Sequence, residues 1–466
     1  MDIEISKKHA LAFALPNTHP VKKVDANLII KQGIYVYFLL LIFEGALRKW
    51  FLPGLSGPLL IIRDPVAIWL VFISWRRGIL RANIYLSSIV VIGFISIFTS
   101  LLLGHGNLIV TLYGARILLF HFPLIFIIGN VFNRADLIKA GKIMLWISIP
   151  MTVLLVMQFY SPQSAWVNRG VGGDMKGAGY NGALGYSRPP GTFSFTTGVT
   201  MFYSLLAPYI FYFWLYPKNV NRLLLIVSTL ALLAAIPLSI SRGLFFQVLL
   251  TAIFTILATF RKPQYIGKLI LVIVSTFVAF LVLSQTSTFQ RSTEAFTTRL
   301  TTASRDEGGV KGTLVRRQIG GLLLALVGAP DFNPPFFGWG IGMGTNVGGQ
   351  LLGGGSGKMY LIAEGEWERT IGELGYLFGL TVIFIRLGLS LKFLIGSYKR
   401  LVAGDLLPWL LLSYAILEVS QGNWAQPTSL GFSVFVGGLV LASINSPVTN
   451  KGALEGYDKS LNLNVS

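Results

Sequence analysis

The chain has 466 residues, of which 53% are apolar and 12% are charged, and its mean hydropathy is +0.67. Soluble domains carry about 25% charged residues, so this composition excludes a soluble globular protein and indicates a polytopic membrane protein. The chain contains no cysteine, which excludes disulfides, thiol chemistry and thiolate metal sites. The net charge of +19 does not indicate nucleic-acid binding, because the basic residues follow membrane topology.

The apolar runs predict an all-α fold with about twelve transmembrane helices, each of about 20 residues. Residues 1–32 are polar and basic and lack the pattern of a cleavable signal, so we expect a cytoplasmic tail. The predicted spans are 33–52, 58–74, 84–104, 108–132, 143–161, 192–216, 223–240, 243–260, 269–285, 370–392, 406–423 and 427–444. Spans 1–9 then occupy 33–285, a large outer loop occupies 286–369, spans 10–12 occupy 370–444, and 445–466 forms a second cytoplasmic tail.

The distribution of lysine and arginine sets the expected orientation. The links on the side of the N-terminus, together with both tails, hold 21 of the 38 basic residues. The short links on the other side hold only Arg169, Lys176, Arg188 and Arg242. The positive-inside rule therefore places both termini in the cytoplasm. Arg48, Lys49 and Arg63 flank the first outer turn and depart from the rule.

The first outer turn also carries acidic residues. Glu44 and Asp64 alternate with the three basic side chains at the two lips of the hairpin. This pattern fits a substrate-binding surface formed by Arg48, Lys49 and Arg63. It fits also, and more simply, an ion network that ties the first two helices together.

Two arginines stand at the outer ends of predicted spans. Arg188 lies in SRPPGTF, where two prolines keep it out of a helix, and Arg242 lies in ISRG, on a tight hairpin. Each is a candidate anion site, because a guanidinium binds phosphate in a bidentate manner and keeps its charge. The simpler alternatives are a snorkelling arginine at a helix end and an incidental basic residue at a loop–helix junction.

The 84-residue outer loop at 286–369 ends in the most chemically dense stretch of the chain. Residues 312–327 are apolar, carry Arg316 and Arg317, and predict a helix at the membrane surface. The loop closes with a glycine-rich segment that contains GWGIGMG, followed by an acidic and basic cluster, AEGEWERTIGE. That cluster contains Glu364, Glu366, Glu368, Arg369 and Glu373.

Helical spacing organises this cluster. In a helix, Glu366, Arg369 and Glu373 fall at i, i+3 and i+7 and share one face, and Glu368 points away from it. Charges at the start of a membrane segment are costly unless they face water, a partner or a substrate. We expect Glu373 to fix Arg369, and Glu364 and Glu366 to face a substrate. The alternative is a solvated first helical turn with an ordinary ion pair.

Histidines and metal-binding patterns contribute little. His9 and His19 lie in the tail, His121 lies inside a span where packing or hydrogen bonding is expected, and His105 lies in a short link. No spacing of histidines or carboxylates on the outer face predicts a metal site, so no cofactor is expected. A general base on this face would then be a carboxylate.

At these motifs the chain resembles the O-antigen ligase and polymerase superfamily, and specifically the Wzy-type polysaccharide polymerases. The resemblance covers roughly residues 160–390 and rests on the order of RPPGTF, SRG, GWGIGMG and GELGYLFGL. It implies a GT-C-like membrane fold, a bacterial inner-membrane location, a periplasmic active site and a polyprenyl-diphosphate-linked oligosaccharide as substrate. It assigns diphosphate binding to Arg188 and Arg242. Glu364 stands where family ligases carry a His-Asn pair, which argues against a ligase.

The resulting hypothesis is an inverting, metal-independent polymerisation of lipid-linked repeat units. The expected catalytic residues are Arg188, Arg242, Glu364, Glu366 and Arg369. Substrate binding is expected of a second set, namely Arg48, Lys49, Arg63, Arg316, Arg317 and Glu373. A chain-length regulator and a flippase would be partners, and nucleic acid would not. The alternatives are an O-antigen ligase acting on a lipid A core, and a secondary transporter or flippase.

Overall fold

The structure is a computed structural model that describes residues 25–217, 220–261, 266–306, 333–353 and 365–446. These residues form a helical bundle with one small β-hairpin, β1 (Tyr180–Ala183) and β2 (Tyr186–Arg188). The helices are α1 (Leu28–Ala46), α2 (Arg63–Arg76), α3 (Ile84–Leu102), α4 (Leu108–Arg116), α5 (Leu124–Val131), α6 (Arg134–Tyr160), α7 (Thr197–Leu215), α8 (Arg222–Leu238), α9 (Arg242–Arg261), α10 (Ile266–Ser284), α11 (Ser287–Asp306), α12 (Asn346–Leu352), α13 (Glu366–Val402), α14 (Leu407–Gln421) and α15 (Pro427–Asn445).

The structure supports the predicted class of all-α polytopic membrane protein. Ten helical segments of the described chain are long and apolar enough to cross a bilayer. One further apolar helix, α8, is shorter, with 17 residues. The helix α14 has 15 residues. The total of twelve spans stays a prediction.

Two of the spans contain a π-helical segment. Leu47–Phe51 continues α1, and Ile117–His121 joins α4 to α5. A π-helical turn inserts an extra residue and redirects the side chains that follow, and such turns are frequent at functional sites. The first segment carries Arg48 and Lys49, and the second ends at His121.

The centre of the bundle is formed by α5, α7, α14 and α15. In α7 and α15 most residues are buried inside the protein, whereas the described side chains of α10 are exposed or partly exposed. α15 packs against α5, α14 and α7, and Phe38 of α1 stacks on Phe435 of α15 with ring centroids 4.2 Å apart. The charged sites described below are therefore built on tightly packed helices.

The helix α13 is not straight. Gly375 has φ 75° and ψ 175°, a conformation that residues with a Cβ avoid. In a straight helix, residues 366 and 386 would lie about 30 Å apart, yet their side chains form an ion pair of 2.6 Å. Gly379 packs against the backbone of Ile371, since a Cβ at Gly379 would lie 2.7 Å from the Ile371 Cα. Residues 366–374, called here the arm, thus fold back along the rest of α13.

The segment predicted as a loop at 286–369 begins with a helix, α11. The amphipathic helix α11 buries Phe289, Ala295 and Phe296 and packs on α8 and on β1. The surface helix predicted at 312–327 lies outside the described residues.

Candidate functional site

Three arginines approach each other at the loop end of α8 and α9. Antiparallel pairing of β1 with β2 sets Arg188 opposite Tyr180, and the Arg188 Nε donates a hydrogen bond to the Ser239 carbonyl at 3.4 Å. Arg242 begins α9 three residues after Ser239. Arg299 of α11 donates from Nη1 to the carbonyls of residues 181 and 182 of β1, at 2.8 and 3.1 Å. The hairpin thus brings Arg188, Arg242 and Arg299 together.

The electrostatic environment of Arg188 is unfavourable for its own charge. Burial, followed by the positive charges of Arg299 and Arg242, lowers the pKa of Arg188 to about 10. The guanidinium is still a cation at neutral pH. Within the described ranges no carboxylate forms an ion pair with Arg188. A partly buried cation with like charges nearby favours an anionic ligand, because the ligand offsets both desolvation and repulsion.

The loop that carries Arg188 is fixed at Gly191. The Lys49 Nζ donates to the Gly191 carbonyl at 2.6 Å. Gln158 holds the same residue twice, accepting from the Gly191 amide at 2.8 Å and donating to its carbonyl at 3.2 Å. Lys49 is 0% exposed. Lys49 therefore contacts the loop that carries Arg188, and its predicted substrate-binding role stays a prediction.

Two further contacts seat the RPPGTF segment on α1. The Thr192 hydroxyl donates to the Ile42 carbonyl at 2.6 Å, and the Arg48 Nη1 donates to the Ser194 hydroxyl at 3.0 Å. A Cβ on Gly45 would collide with the backbone of the segment near Ser194. The segment consequently has little freedom to move relative to α1.

The charged residues of the first outer turn form an ion network that ties helices together. Arg63 donates to Glu44 at 3.0 Å and to the Pro427 carbonyl at 2.7 Å. Arg48 lies 3.5 Å from Glu44. The side chain of Arg63 is almost fully buried. Of the two interpretations left open by the sequence, the contacts match the one that joins α1 to α2, and they extend it to the start of α15.

A second network adjoins the first and includes His121. Asp64 accepts from Arg116 at 2.5 Å and from the His121 Nε2 at 2.9 Å. The Tyr37 hydroxyl lies 2.8 Å from the His121 Nδ1. His121 is thus hydrogen-bonded on both ring nitrogens, as expected for a histidine inside a span.

The arm of α13 carries a buried carboxylate–guanidinium cluster. Arg369 binds Glu366 in a bidentate manner, with Nε–Oε2 and Nη2–Oε1 distances of 2.9 and 2.8 Å. Its Nη1 lies 2.5 Å from Glu373 Oε2, while Glu373 Oε1 accepts from the Gly344 amide at 2.7 Å. The three side chains share one helix face, as their spacing predicts. Glu368 points elsewhere and accepts from the Gly365 amide at 3.0 Å.

Arg386 completes this cluster from the other limb of α13. It donates to Glu366 Oε1 at 2.6 Å and to the carbonyls of Val419 and Gly422 at 3.0 and 2.7 Å. Its guanidinium also lies 3.8 Å from the ring centroid of Trp424. Arg386 appeared in the sequence only as a charge inside a span. Its partner could not be predicted, because helical spacing carries no information across the reversal at Gly375.

A small cavity of about 20 Å³ borders this cluster. Its wall includes the four charged side chains of the cluster, Glu366, Arg369, Glu373 and Arg386. The volume is enough for about one water molecule and too small for a sugar. Among the described residues, the space beside the cluster therefore admits a water molecule but not a sugar.

The glycine-rich segment packs between the arm and the turn from α3 to α4. Trp339 and Gly340 donate their amides to the carbonyls of Gly372 and Glu373, at 2.8 and 3.1 Å. On the other side, the Ile341 amide donates to the Ser100 hydroxyl at 2.7 Å. Gly340 has φ 113°, a conformation that glycine adopts without strain. The segment holds the arm in place by backbone hydrogen bonds, which explains its glycine content.

Some predicted site residues cannot be placed. Glu364, Arg316 and Arg317 lie outside the described residues. Over the described ranges, no group of three or more histidine, aspartate or glutamate side chains is arranged to hold a metal ion.

Comparison with known proteins adds no assignment. No family model matches the chain, and neither a curated protein nor a solved structure shows significant similarity to it. The functional argument therefore depends on the residues and their geometry.

Proposed function

We propose that the protein is a membrane-embedded glycosyltransferase of a bacterial inner membrane. It would polymerise oligosaccharide repeat units carried on a polyprenyl diphosphate, at the periplasmic face. The observation that carries this proposal is the approach of Arg188, Arg242 and Arg299 at one end of a membrane bundle. A diphosphate at a membrane surface is the lipid-borne anion that fits such a cluster.

The proposed reaction is an inverting transfer without a metal. An acceptor hydroxyl attacks the anomeric carbon of the donor sugar, and the bond from that carbon to the diphosphate oxygen breaks. The electron pair leaves with the lipid diphosphate, whose charge Arg188, Arg242 and Arg299 stabilise. The proton of the acceptor hydroxyl passes to a carboxylate. Lys49 and Gln158 act indirectly, because they hold the loop on which Arg188 stands.

The contacts of the arm argue against Glu366 as the base, which leaves Glu364 of the two predicted carboxylates. A carboxylate offers about four acceptor positions, and Glu366 already accepts three hydrogen bonds from Arg369 and Arg386. Glu366 is also only 6% exposed. In the proposal Glu366, Arg369 and Glu373 form the frame of the arm, and Glu364 precedes that frame directly.

A transporter is the second class of function considered. Transporters place their charged site near the midplane, within broken helices. The loop arginines belong to one end of the bundle, and the networks of Glu44 and Glu366 lie at the α1–α2 turn and in the arm. Further ion pairs, such as Arg134–Asp405, lie elsewhere in the bundle. Among the described residues, the reversal at Gly375 resembles a broken helix, so a transport assay accompanies the elongation assay.

The decisive experiment incubates the purified protein with a defined lipid-linked repeat unit, in EDTA. We expect longer lipid-linked products from the wild-type protein. Arg188→Lys and Arg242→Lys should lose most of the activity, because an ammonium does not bind diphosphate in a bidentate manner. Arg222→Lys, at the opposite end of α8, is the matched control and should retain full activity.

Three results would count against this proposal. If product forms only when a lipid A core is added, the protein is a ligase. Movement of the repeat unit across a vesicle membrane without elongation would indicate a transporter. Wild-type rates in both lysine variants would remove the diphosphate role of the arginines.

The identity of the base is tested by single-turnover elongation. A general base commonly contributes about 10²–10⁴-fold in rate. We expect Glu364→Gln to lose activity in this range while donor binding is retained. Glu366→Gln should instead lower the stability of the arm. If both variants elongate within a few-fold of wild type, no carboxylate of the pair acts as base.

A further inference from the structure

A groove of about 430 Å³ lies beside the C-terminal part of α13, at the other end of this helix from the arm. It runs between α13, the start of α3 and the end of α15. The lining residues of α13 span positions 388 to 399, which corresponds to about 16 Å of helix. The hydrocarbon of one bilayer leaflet is about 15 Å deep, so the groove has the length of a lipid chain.

The walls of the groove are apolar and open to the outside of the bundle. Leu391 and Ile395 of α13 are about half exposed, at 55% and 49%, and Leu441 and Ile444 form the facing wall. Gly396 keeps α15 close, because a Cβ on it would lie 2.8 Å from Ile444. In a membrane protein, apolar side chains exposed on this outer surface face lipid.

Two lysines give the groove its charge. Lys392 and Lys399 line it at i and i+7, so both stand on the same face of α13. The Lys392 Nζ lies 5.7 Å from the ring centroid of Tyr85 across the groove. No carboxylate is among the described residues that line the groove. The groove therefore combines an apolar channel for a chain with two fixed positive charges.

We propose that this groove binds an anionic glycerophospholipid from the leaflet at that end of the bundle. One acyl chain lies against Leu391, Ile395 and Ile444, and the phosphate headgroup contacts Lys392 and Lys399. Basic pockets between transmembrane helices bind anionic headgroups in this manner. The site is independent of the proposed function, because it uses neither the arginine cluster nor the arm.

The test is native mass spectrometry of the delipidated, full-length protein titrated with phosphatidylglycerol or with zwitterionic phosphatidylethanolamine. We expect one tightly retained phosphatidylglycerol and clearly weaker retention of phosphatidylethanolamine. Replacing both lysines, as Lys392→Ala with Lys399→Ala, should weaken phosphatidylglycerol binding roughly 10- to 30-fold.

Three variants separate the site from general effects of charge. Replacement of both lysines by arginine should keep binding within a few-fold. Ile395→Trp fills the groove at constant charge and should also release the lipid. Lys139→Ala with Lys142→Ala removes two exposed lysines from α6 outside the groove, and should leave binding unchanged.

The proposal is overturned if phosphatidylethanolamine is retained equally, or if the α6 variant loses as much lipid as the α13 variant. It is also overturned if Ile395→Trp binds normally, or if inorganic phosphate displaces the lipid from the wild-type protein at millimolar concentration. The last result would indicate a site for free phosphate.

Discussion

Replacing Arg386 by methionine removes a buried cation from the cluster on the arm. Arg386 is 1% exposed, forms an ion pair of 2.6 Å with Glu366, and donates to two backbone carbonyls. Removal of one partner from a buried ion pair typically costs about 3–5 kcal/mol, because the remaining charge stays buried. We therefore expect Arg386→Met to lower the free energy of unfolding by about 4 kcal/mol. Glu366 keeps Arg369, so the loss should not exceed this range.

The assay is SDS-induced unfolding of the purified protein in detergent, carried out as a double-mutant cycle. Arg386→Met and Glu366→Gln are measured singly and together. Since the two side chains contact each other directly, the double variant should cost less than the sum by about 1–3 kcal/mol. Lys142→Met, an exposed residue on α6, is the control and should change stability by less than about 0.5 kcal/mol. Strict additivity in the cycle, or a cost of Arg386→Met below about 1 kcal/mol, would refute the fold-back of the arm onto α13.

Three further predictions concern the loop end of the bundle. Gly375→Ala should lower the free energy of unfolding by at least about 1–3 kcal/mol and reduce elongation, because Gly375 has φ 75°. Thermal unfolding measures this loss. Gly267→Ala is the control, because a Cβ at Gly267 would meet no atom within 4 Å. Lys49→Met should weaken binding of a short prenyl diphosphate several-fold, because the hydrogen bond from Lys49 to the Gly191 carbonyl is lost. In the proposal Lys49 does not contact the ligand itself. An unchanged affinity, measured by calorimetry, would contradict this positioning role. The affinity for the same ligand should fall as the pH rises above about 10, because the pKa of Arg188 is lowered to about 10 and its guanidinium loses its charge above that pH. An affinity that stays constant up to pH 11 would exclude Arg188 from the site.

The local part of the candidate site could be predicted from sequence because it follows helical period. Glu366, Arg369 and Glu373 fall on one face at the predicted spacing, and the contacts of Arg369 with both carboxylates show that face directly. Membrane class followed from composition, since ten segments have the length and hydropathy of spans. These features depend only on residues that are neighbours along one helix.

Contacts between distant segments could not be predicted. Glu366 and Arg386 meet because the chain reverses at Gly375. This reversal could not be predicted, because an isolated glycine inside an apolar helical run is usually tolerated without breaking the helix. Arg299 joins Arg188 through α11, whose polar composition concealed its amphipathic pattern. Its signal was the spacing of Phe289 and Phe296, seven residues apart on one face.

The reversal at Gly375 also constrains how the protein is made. The cluster consists of two carboxylates and two guanidiniums that all belong to α13, namely Glu366, Glu373, Arg369 and Arg386. The formal charges of these four side chains cancel. Each charge presented singly to the hydrocarbon during insertion costs about 2.5–3.5 kcal/mol. Because these four charges pair within α13, no other helix has to supply a counter-charge for them. A chain unable to turn at Gly375 would leave Arg386 without Glu366, so we expect the glycine that shapes the candidate site also to ease membrane integration of α13.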